Sequence, residues 1–347
     1  MSLVRYFLAG AVVLFCVIGL VGWLKKGPAP KPAQVATLVQ EVVIPAAPVV
    51  RKEAPPAPKK VVAPVVKKEI PVVAPVTPPA PPKTASVKGE DPLPEADRIK
   101  QLFATDSSKL PIVETVSYTS RVPWLSGRPA WIADYASHYE TSRHFIARSL
   151  NKKVDYFTQK VGPGDKFNVF KKGQNIGFHL LIDLSRSKMW FYYVDFNAGE
   201  RVLLKTYPVG LGRPDGQKKS GYLTPVGKYQ LGEKIAIYKP GTMGFFQDEK
   251  VEMVRVFGTR WIPFDKELDG CSEDAKGFGI HGLPWGFDQG SGKWVENRAA
   301  LGKYESDGCV RLAQEDVEEI FSIVITKPTT VELVKDFKEA KLPGVER

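Results

Sequence analysis

Hydrophobic residues are distributed unevenly along this chain, and the first segment is the most apolar. Residues 6–24 form a run without a single charged side chain. As a helix rising about 1.5 Å per residue, such a run extends roughly 28 Å, enough to cross the hydrocarbon core of a bilayer. The pattern predicts an N-terminal transmembrane signal-anchor over residues 1–26, with a cleaved signal peptide as the alternative.

Residues 27–90 have no hydrophobic period and are rich in proline, valine and lysine. Fifteen of the 29 prolines lie between positions 27 and 83. Because proline lacks an amide hydrogen and favours extended backbone, we predict a disordered linker. Residues 25–83 contain ten lysines and arginines against three glutamates, and so contribute +7 of the net charge of +11. No aromatic residues that could stack on bases stand between these lysines, so no nucleic-acid partner is expected.

Helical and alternating patterns begin after residue 90. Residues 91–110 contain "PEADRIKQLFA", whose apolar spacing predicts a short helix. Residues 111–172 predict a strand in "IVETVSY", two short helices, the second capped by Thr141, and a strand in "KFNVF". This order indicates a small α+β module.

Residues 176–337 mostly follow strand patterns. "IGFHLLIDLSRSKMWFYYVD" predicts two strands joined by a polar turn, "RVLLKTYPVG" a third strand and "TTVELVKDF" a closing strand. One helical pattern, "AQEDVEEIFSIVI", has acidic residues near its start, as the helix dipole favours. We therefore expect a mainly β domain, followed by a C-terminal tail at residues 338–347.

The candidate chemistry lies in two glycine-rich stretches of this domain. A cysteine nucleophile needs a base to form thiolate, and histidine has a suitable pKa. His281 stands in "GFGIHGLPWG", where glycines allow close approach of a substrate. Cys309 stands in "YESDGCVRL", where the amides of Gly308 and Cys309 could face a developing oxyanion. The other three histidines lie in the helical module or among strand hydrophobics.

Cys271 repeats the Asp-Gly-Cys triplet of Cys309 and raises three alternatives. A second nucleophile is disfavoured because no histidine is near in sequence. A disulfide with Cys309 is allowed outside the cytoplasm, but it would consume the nucleophile. Metal binding is not expected, since Cys-x-x-Cys and His-x-x-x-His spacings are lacking. No cofactor is expected.

The residues around His281 and Cys309 resemble the YkuD-type L,D-transpeptidase domain. Its signature is His-Gly, a spacer, then Ser/Thr-His-Gly-Cys, an apolar residue and often arginine. "HG" at 281–282 and "SDGCVR" at 306–311 match it, and "LTPVG" at 223–227 resembles the family's Thr-Pro-x-Gly loop. Two features depart from the family: Asp307 replaces its usual second histidine, and the spacer of 24 residues, 282–305, is long, which predicts a surface flap.

The resemblance implies a YkuD-like β-sandwich with one or two helices, acting on peptidoglycan stem peptides. Cys309 would attack the amide before the terminal D-Ala of a tetrapeptide stem, and a side-chain amine of a neighbouring stem would take the acyl group, giving a 3→3 cross-link. His281 would be the base, oriented by the carbonyl of Gly282 or, alternatively, by Asp307. Gly308 would help to stabilise the oxyanion.

Three further residues are candidates for substrate binding. Arg311 would bind a substrate carboxylate, or else form an internal salt bridge. Ser306 precedes the nucleophile in the motif. Trp285 would line the cleft, or else belong to the core.

Two other functions remain open. An L,D-carboxypeptidase would use the same residues with water as the acceptor. A non-catalytic tether between membrane and cell wall would use only the anchor, the linker and the small module.

Residues 111–172 resemble a LysM-type glycan-binding module in "WIADYASHYETSRHFIARSLN" and "VGPGDKFNVF". They depart from it where "TSRVPWLSGRP" replaces a short first turn. The resemblance implies glycan strands as a partner, and a spacer packed on the catalytic domain is the alternative. Together these features predict a single-pass protein of the bacterial inner membrane, with its catalytic domain outside the cytoplasm.

Overall fold

The structure is a computed structural model of the chain, and it describes residues 92–151, 160–233 and 235–347. The predicted signal-anchor at residues 1–26 and the whole of the predicted linker at residues 27–90 lie outside these ranges. Within them, the structure contains no helix with the length and apolar character needed to cross a bilayer.

The described residues form eighteen strands, four α-helices and short 3-10 turns. The strands are β1 (Val113–Ser117), β2 (Lys166–Phe170), β3 (Ile176–Asp183), β4 (Lys188–Asp195), β5 (Glu200–Pro208), β6 (Leu211–Gly212), β7 (Gly227–Leu231), β8 (Ala236–Ile237), β9 (Met243–Phe246), β10 (Glu249–Glu252), β11 (Arg260–Asp269), β12 (Gly279–Gly282), β13 (Trp285–Asp288), β14 (Lys293–Glu296), β15 (Tyr304–Ser306), β16 (Val310–Leu312), β17 (Thr329–Val334) and β18 (Val345–Glu346). The helices are α1 (Ile132–His138), α2 (Arg143–Asn151), α3 (Val254–Phe257) and α4 (Gln314–Val324).

Ten strands form one large sheet, in the order β16-β12-β11-β7-β17-β3-β4-β5-β18, with β8 paired to β11. The prediction of a mainly β domain is confirmed, and the polar turn after β3 joins it to β4 as an antiparallel pair. The central strands β3 and β4 are almost entirely buried. Their near-continuous apolar sequence follows from this burial on both faces.

The resemblance implied a β-sandwich, and the structure corrects this: its one large sheet curls into a half-barrel. The reason lies in register shifts, which interrupt the pairing of β11 with β7 and of β4 with β5. Shifts of this kind bend a strand and increase its twist, so one continuous sheet can fold over its own core.

Helix α4 follows β16 directly and packs against β11 and β12. Its face carrying Val317, Ile320 and Phe321 is fully buried in the main hydrophobic core. The acidic residues of its first turn, Glu315 and Asp316, lie where the helix dipole favours negative charge. The helix therefore supports the strands that carry the two motifs found in the sequence.

The order strand, helix, helix, strand predicted for residues 111–172 is present. Strand β1 pairs with β2 in antiparallel register along its whole length, and α1 and α2 lie between them in sequence. Phe145 and Phe170 of this module belong to the same core cluster as Phe178 of β3. The Phe170 and Phe178 rings are 5.9 Å apart, so the module shares its core with the β domain.

Two local predictions need correction. The helix expected within 91–110 is only a 3-10 turn, Ile99–Leu102. The residues before it are held along the sheet instead, because Asp97 pairs with Lys205 and the Pro94 carbonyl accepts a bond from Trp190 Nε1 (2.8 Å). The cap of α2 is Ser142, whose Oγ accepts a bond from the Phe145 amide (3.0 Å), whereas Thr141 Oγ1 accepts one from the Phe170 amide (2.9 Å).

Candidate active site

Cys309 lies in the short connection between β15 and β16, and Ser306 holds this connection in place. The Ser306 hydroxyl accepts a bond from the Gly308 amide (3.1 Å) and donates one to the Cys309 carbonyl (2.7 Å). Ser306 itself is only 1% exposed. Its hydroxyl is therefore committed to the turn and not directed at a substrate.

Gly308 allows the chain to pass through this turn. Its φ of +122° is a conformation that residues with a side chain rarely adopt. A Cβ here would lie 2.6 Å from Phe278 Cε1 and 2.9 Å from the carbonyl oxygen of Leu223. The Thr-Pro-x-Gly loop thus packs directly against the nucleophile turn. The amides of Gly308 and Cys309 were both expected to face the oxyanion. The Gly308 amide donates to Ser306 instead, whereas the Cys309 amide has no bond to Ser306.

His281 is placed by the sheet beside the nucleophile strand. Strand β12 pairs in parallel with β16, and the register partners are Ile280 with Val310 and His281 with Arg311. Ile280 and Val310 are fully buried in the core, so the alternation of side chains puts His281, Arg311 and Cys309 on the opposite face. Cys309 comes immediately before Val310 and therefore lies level with Gly279.

The imidazole ring is fixed in orientation. His281 Nδ1 lies 2.7 Å from the carbonyl oxygen of Gly282. The ring packs edge-on against Phe257 (5.2 Å between centroids) and at a tilt against Trp261 (5.9 Å). The backbone of Phe257 also hydrogen-bonds to the ring. With its proton on Nδ1, donated to the Gly282 carbonyl, the ring carries on Nε2 the lone pair that can accept a proton. Asp307 is not needed for this orientation.

The surroundings of His281 and Cys309 are apolar, and this shifts the pKa values of both side chains. Burial, aided by the positive charge of Arg311, lowers the pKa of His281 to about 3. Burial raises the pKa of the Cys309 thiol to about 12, against the lowering effects of the Gly279 amide and Arg311. Cys309 packs against the cluster that contains Phe257 and Trp261. At neutral pH the resting pair is therefore a neutral thiol and a neutral imidazole.

Arg311 is a half-buried cation on the same face. Its backbone exchanges two hydrogen bonds of 2.8 Å with Gly210. No carboxylate of the described residues lies within ion-pair distance of its guanidinium, and burial lowers its pKa. The internal salt bridge that was one of the two expectations is therefore not formed among these residues.

Asp307 forms an ion pair with Arg213 at the edge of the site. Strand β6 runs parallel to β15, and Gly212 is the register partner of Ser306. Arg213 follows the end of β6 and Asp307 follows the end of β15, and the Arg213 amide donates to the Ser306 carbonyl (3.0 Å). Asp307, which replaces the second histidine of the family motif, is thus paired with Arg213.

The comparison with protein families agrees with this geometry. Residues 177–333 match the family model YkuD, the L,D-transpeptidase catalytic domain. The chain contains a YkuD-type domain. The small module before it is not covered by this match, and a search of the curated proteins finds no match.

Two solved structures resemble parts of the chain. The helical cell shape determining protein Pgp2 of Campylobacter jejuni is 18% identical with a TM-score of 0.32, and the alignment covers 49% of this chain and 50% of that one. Bd1075 of Bdellovibrio bacteriovorus is 16% identical with a TM-score of 0.31, over 46% of this chain and 48% of that one. The chain therefore spans about half the length of each of these structures.

Trp285 lies near the start of the long spacer, in the same aromatic cluster that Cys309 contacts. It is half-buried and begins the hairpin of β13 and β14, which carries the exposed pair Phe287 and Trp294. The predicted flap is therefore a β-hairpin, and Trp285 joins it to the aromatic cluster.

Cys271 is separate from this arrangement. Its sulfur lies 3.1 Å from the Lys228 carbonyl oxygen, and its backbone packs against Gly227. Cys309 Sγ instead lies 3.6 Å from the Gly277 carbonyl oxygen. Both cysteines are free thiols, and the structure contains no disulfide between them.

Three contributors to the YkuD-type site were missed in the sequence. Phe257 and Trp261 surround His281, and the aromatic spacing of "VFGTRWIPF" was the only signal for them. Arg213 had no signal at all, because its role depends on the pairing of two distant short strands.

Proposed function

We propose that the chain is a peptidoglycan L,D-transpeptidase that forms 3→3 cross-links through a Cys309 acyl-enzyme, with His281 as the base. The observation that supports this most directly is the placement of both residues on one face of neighbouring parallel strands, with His281 Nδ1 bonded to the Gly282 carbonyl. This bond leaves Nε2 available to take a proton from the thiol.

The first half-reaction would acylate the enzyme. His281 Nε2 takes the thiol proton, and Cys309 Sγ forms a bond to the carbonyl carbon of the third stem residue. The bond from that carbon to the D-Ala nitrogen breaks, and the leaving nitrogen takes the proton from His281. The Cys309 amide stabilises the negative oxygen of the tetrahedral intermediate.

The second half-reaction would transfer the acyl group. A side-chain amine of another stem peptide attacks the thioester carbon, and its proton passes to His281. The bond from carbon to sulfur breaks, and the proton returns to Cys309. If water takes the place of the amine, the product is a tripeptide, which is the L,D-carboxypeptidase outcome.

Arg311 would bind the terminal carboxylate of the donor stem. Its guanidinium is half-buried, shares the face of Cys309 and lacks a carboxylate partner among the described residues. A planar guanidinium can bind a carboxylate through two parallel hydrogen bonds. Trp285 would border the bound stem, and Ser306 would act by holding the Cys309 turn.

Incubation of the purified full-length chain with disaccharide tetrapeptides, followed by mass spectrometry, tests this function. Cross-linked dimers and free D-Ala are expected from the wild-type chain and not from Cys309→Ala. Cys271→Ala is the matched control and should keep activity, because Cys271 lies apart from His281. Tripeptide without dimers would replace the proposal by the carboxypeptidase, and no reaction at all would reject both enzymes.

We also propose that residues 111–172 act as a LysM-like module that binds glycan strands, outside the cytoplasm and tethered by an N-terminal anchor. Its strand–helix–helix–strand order supports this, and Trp131 at its surface is 67% exposed. Co-sedimentation of full-length Cys309→Ala with purified cell-wall sacculi should be weakened by Trp131→Ala. The exposed Phe196 of the YkuD-type domain provides the control substitution, Phe196→Ala. Equal binding of both variants would contradict the proposal.

A further inference from the structure

The ion pair of Arg213 and Asp307 stands at the rim of the candidate active site. Both side chains are mostly exposed, at 59% and 66%. The pairing of β6 with β15 fixes their backbones, because Gly212 is the partner of Ser306 and the Arg213 amide bonds to the Ser306 carbonyl. The two charges are therefore held next to each other although both face solvent.

These charges are close enough to the reacting groups to act on them. Asp307 lies two residues before Cys309, and its negative charge contributes to the raised pKa of the thiol. Arg213 and Asp307 both act on Arg311, in opposite directions. The face that carries Cys309 thus has the guanidinium of Arg311, which has no carboxylate partner in the described part of the chain. Beside it stand the positive Arg213 and the negative Asp307.

Neither stability nor catalysis accounts for the pair. Exposed ion pairs contribute about 0–1 kcal/mol to stability. A carboxylate beside the nucleophile opposes the formation of thiolate. A ligand explains the arrangement better. A purely anionic group would be repelled by Asp307, and a purely cationic one by Arg213, whereas a group with both charges satisfies both residues.

We propose that Arg213 and Asp307 bind the zwitterionic D-amino-acid end of a meso-diaminopimelate side chain. This inference rests on the proposed function, because it names the third stem residue that the site accepts. The ligand carboxylate pairs with Arg213, and its ammonium group donates to Asp307, so two charge-assisted contacts replace the direct ion pair. A lysine side chain offers only the ammonium group and leaves Arg213 without a partner.

Binding to full-length Cys309→Ala tests the inference without turnover. Isothermal titration would compare disaccharide tetrapeptides that carry meso-diaminopimelate or L-lysine at position three. The diaminopimelate form should bind about tenfold more tightly, the ratio that one charge-assisted contact supplies. In the same background, Arg213→Gln should remove most of this preference, whereas Asp307→Asn should weaken the binding of both peptides, because both offer an ammonium group. Glu315→Gln removes one member of a similarly exposed ion pair, with Arg298, and should leave the preference intact.

The two proposals fail in different ways. Equal binding of both peptides, a preference that survives Arg213→Gln, or binding of both peptides that is unchanged by Asp307→Asn would overturn the inference. The enzymatic proposal is judged separately, by dimers and free D-Ala from the wild-type chain. A retained binding preference without any product would reject the reaction and leave the selection of a zwitterionic side chain standing.

Discussion

His281 and Arg311 are register partners across the parallel strands β12 and β16. A guanidinium thus stands beside the imidazole that is proposed to take the proton of Cys309. Burial and this positive charge together lower the pKa of His281, so the ring is neutral over the whole physiological range. The same charge favours the thiolate form of Cys309. The arrangement suits a base that receives a proton only when the nucleophile reacts.

The pH dependence of Cys309 alkylation should follow from this. Because the pKa of the thiol is raised to about 12, its thiolate fraction increases about tenfold per pH unit between pH 7 and 10. The rate of reaction with iodoacetamide should rise over this range without levelling off, measured by mass spectrometry of the Cys309 peptide. A plateau reached near neutral pH would instead indicate a resting thiolate–imidazolium pair.

Acid should destabilise the fold through His281. An unfolded histidine has a pKa near 6.5, whereas the pKa of His281 in the folded chain is about 3. Between these values the unfolded state binds the proton first, so the free energy of unfolding falls as pH decreases, by up to about 1.4 kcal/mol per pH unit. Denaturant unfolding of wild type and His281→Gln at pH 4 to 7 checks this. His179 is present in both, so a slope unchanged by the substitution would contradict the prediction.

Gly308→Ala should impair both stability and activity. The substitution adds a Cβ at φ +122°, within 3 Å of Phe278 and the Leu223 carbonyl. Strain of about 1–3 kcal/mol is expected from the backbone, and the overlap adds to it. Gly302→Ala is a matched control, because Gly302 has φ +70° but nothing within 4 Å of the added Cβ. Thermal unfolding compares the stability of the two variants. If both lose the same amount of stability, crowding of the added Cβ at the nucleophile turn has no effect.

Ser306→Ala should disturb Cys309 without removing any proposed reacting group. It leaves the Gly308 amide and the Cys309 carbonyl without their bonds to Ser306, which costs about 1–3 kcal/mol for buried groups. We expect a lower unfolding midpoint and a kcat reduced about tenfold or more. Ser149→Ala removes a similar buried hydroxyl that bonds to Asn168 and Ile146, in the small module. Ser149→Ala should lose about as much stability as Ser306→Ala but keep the wild-type kcat. Equal kcat values for the two variants would contradict a positioning role for Ser306.

Much of this site was accessible from the sequence because its elements are local. The glycines beside His281 and Cys309 and the alternation of the strands depend only on neighbouring residues, and both motifs lie on adjacent strands as their chemistry requires. The capping of α2 was misassigned by one residue, because the hydroxyl of Thr141 is used by a distant strand. Arg213 and the aromatic walls formed by Phe257 and Trp261 depend on long-range pairing, which no local pattern encodes.

The small module and the YkuD-type domain should unfold as one unit. Phe170 is fully buried and packs against Phe145 (4.6 Å between centroids) and Phe178, so its ring bridges the two parts. Phe167, on the same strand, is equally buried but belongs to the cluster formed by the module alone. Removing either ring is expected to destabilise the folded state by about 3–5 kcal/mol.

If the two parts form one cooperative unit, Phe170→Ala and Phe167→Ala both lower the midpoint of the same single unfolding transition. Calorimetry together with heat inactivation of the cross-linking reaction measures this. Two separate transitions, with Phe167→Ala shifting only one and leaving inactivation unchanged, would mean that the module folds independently.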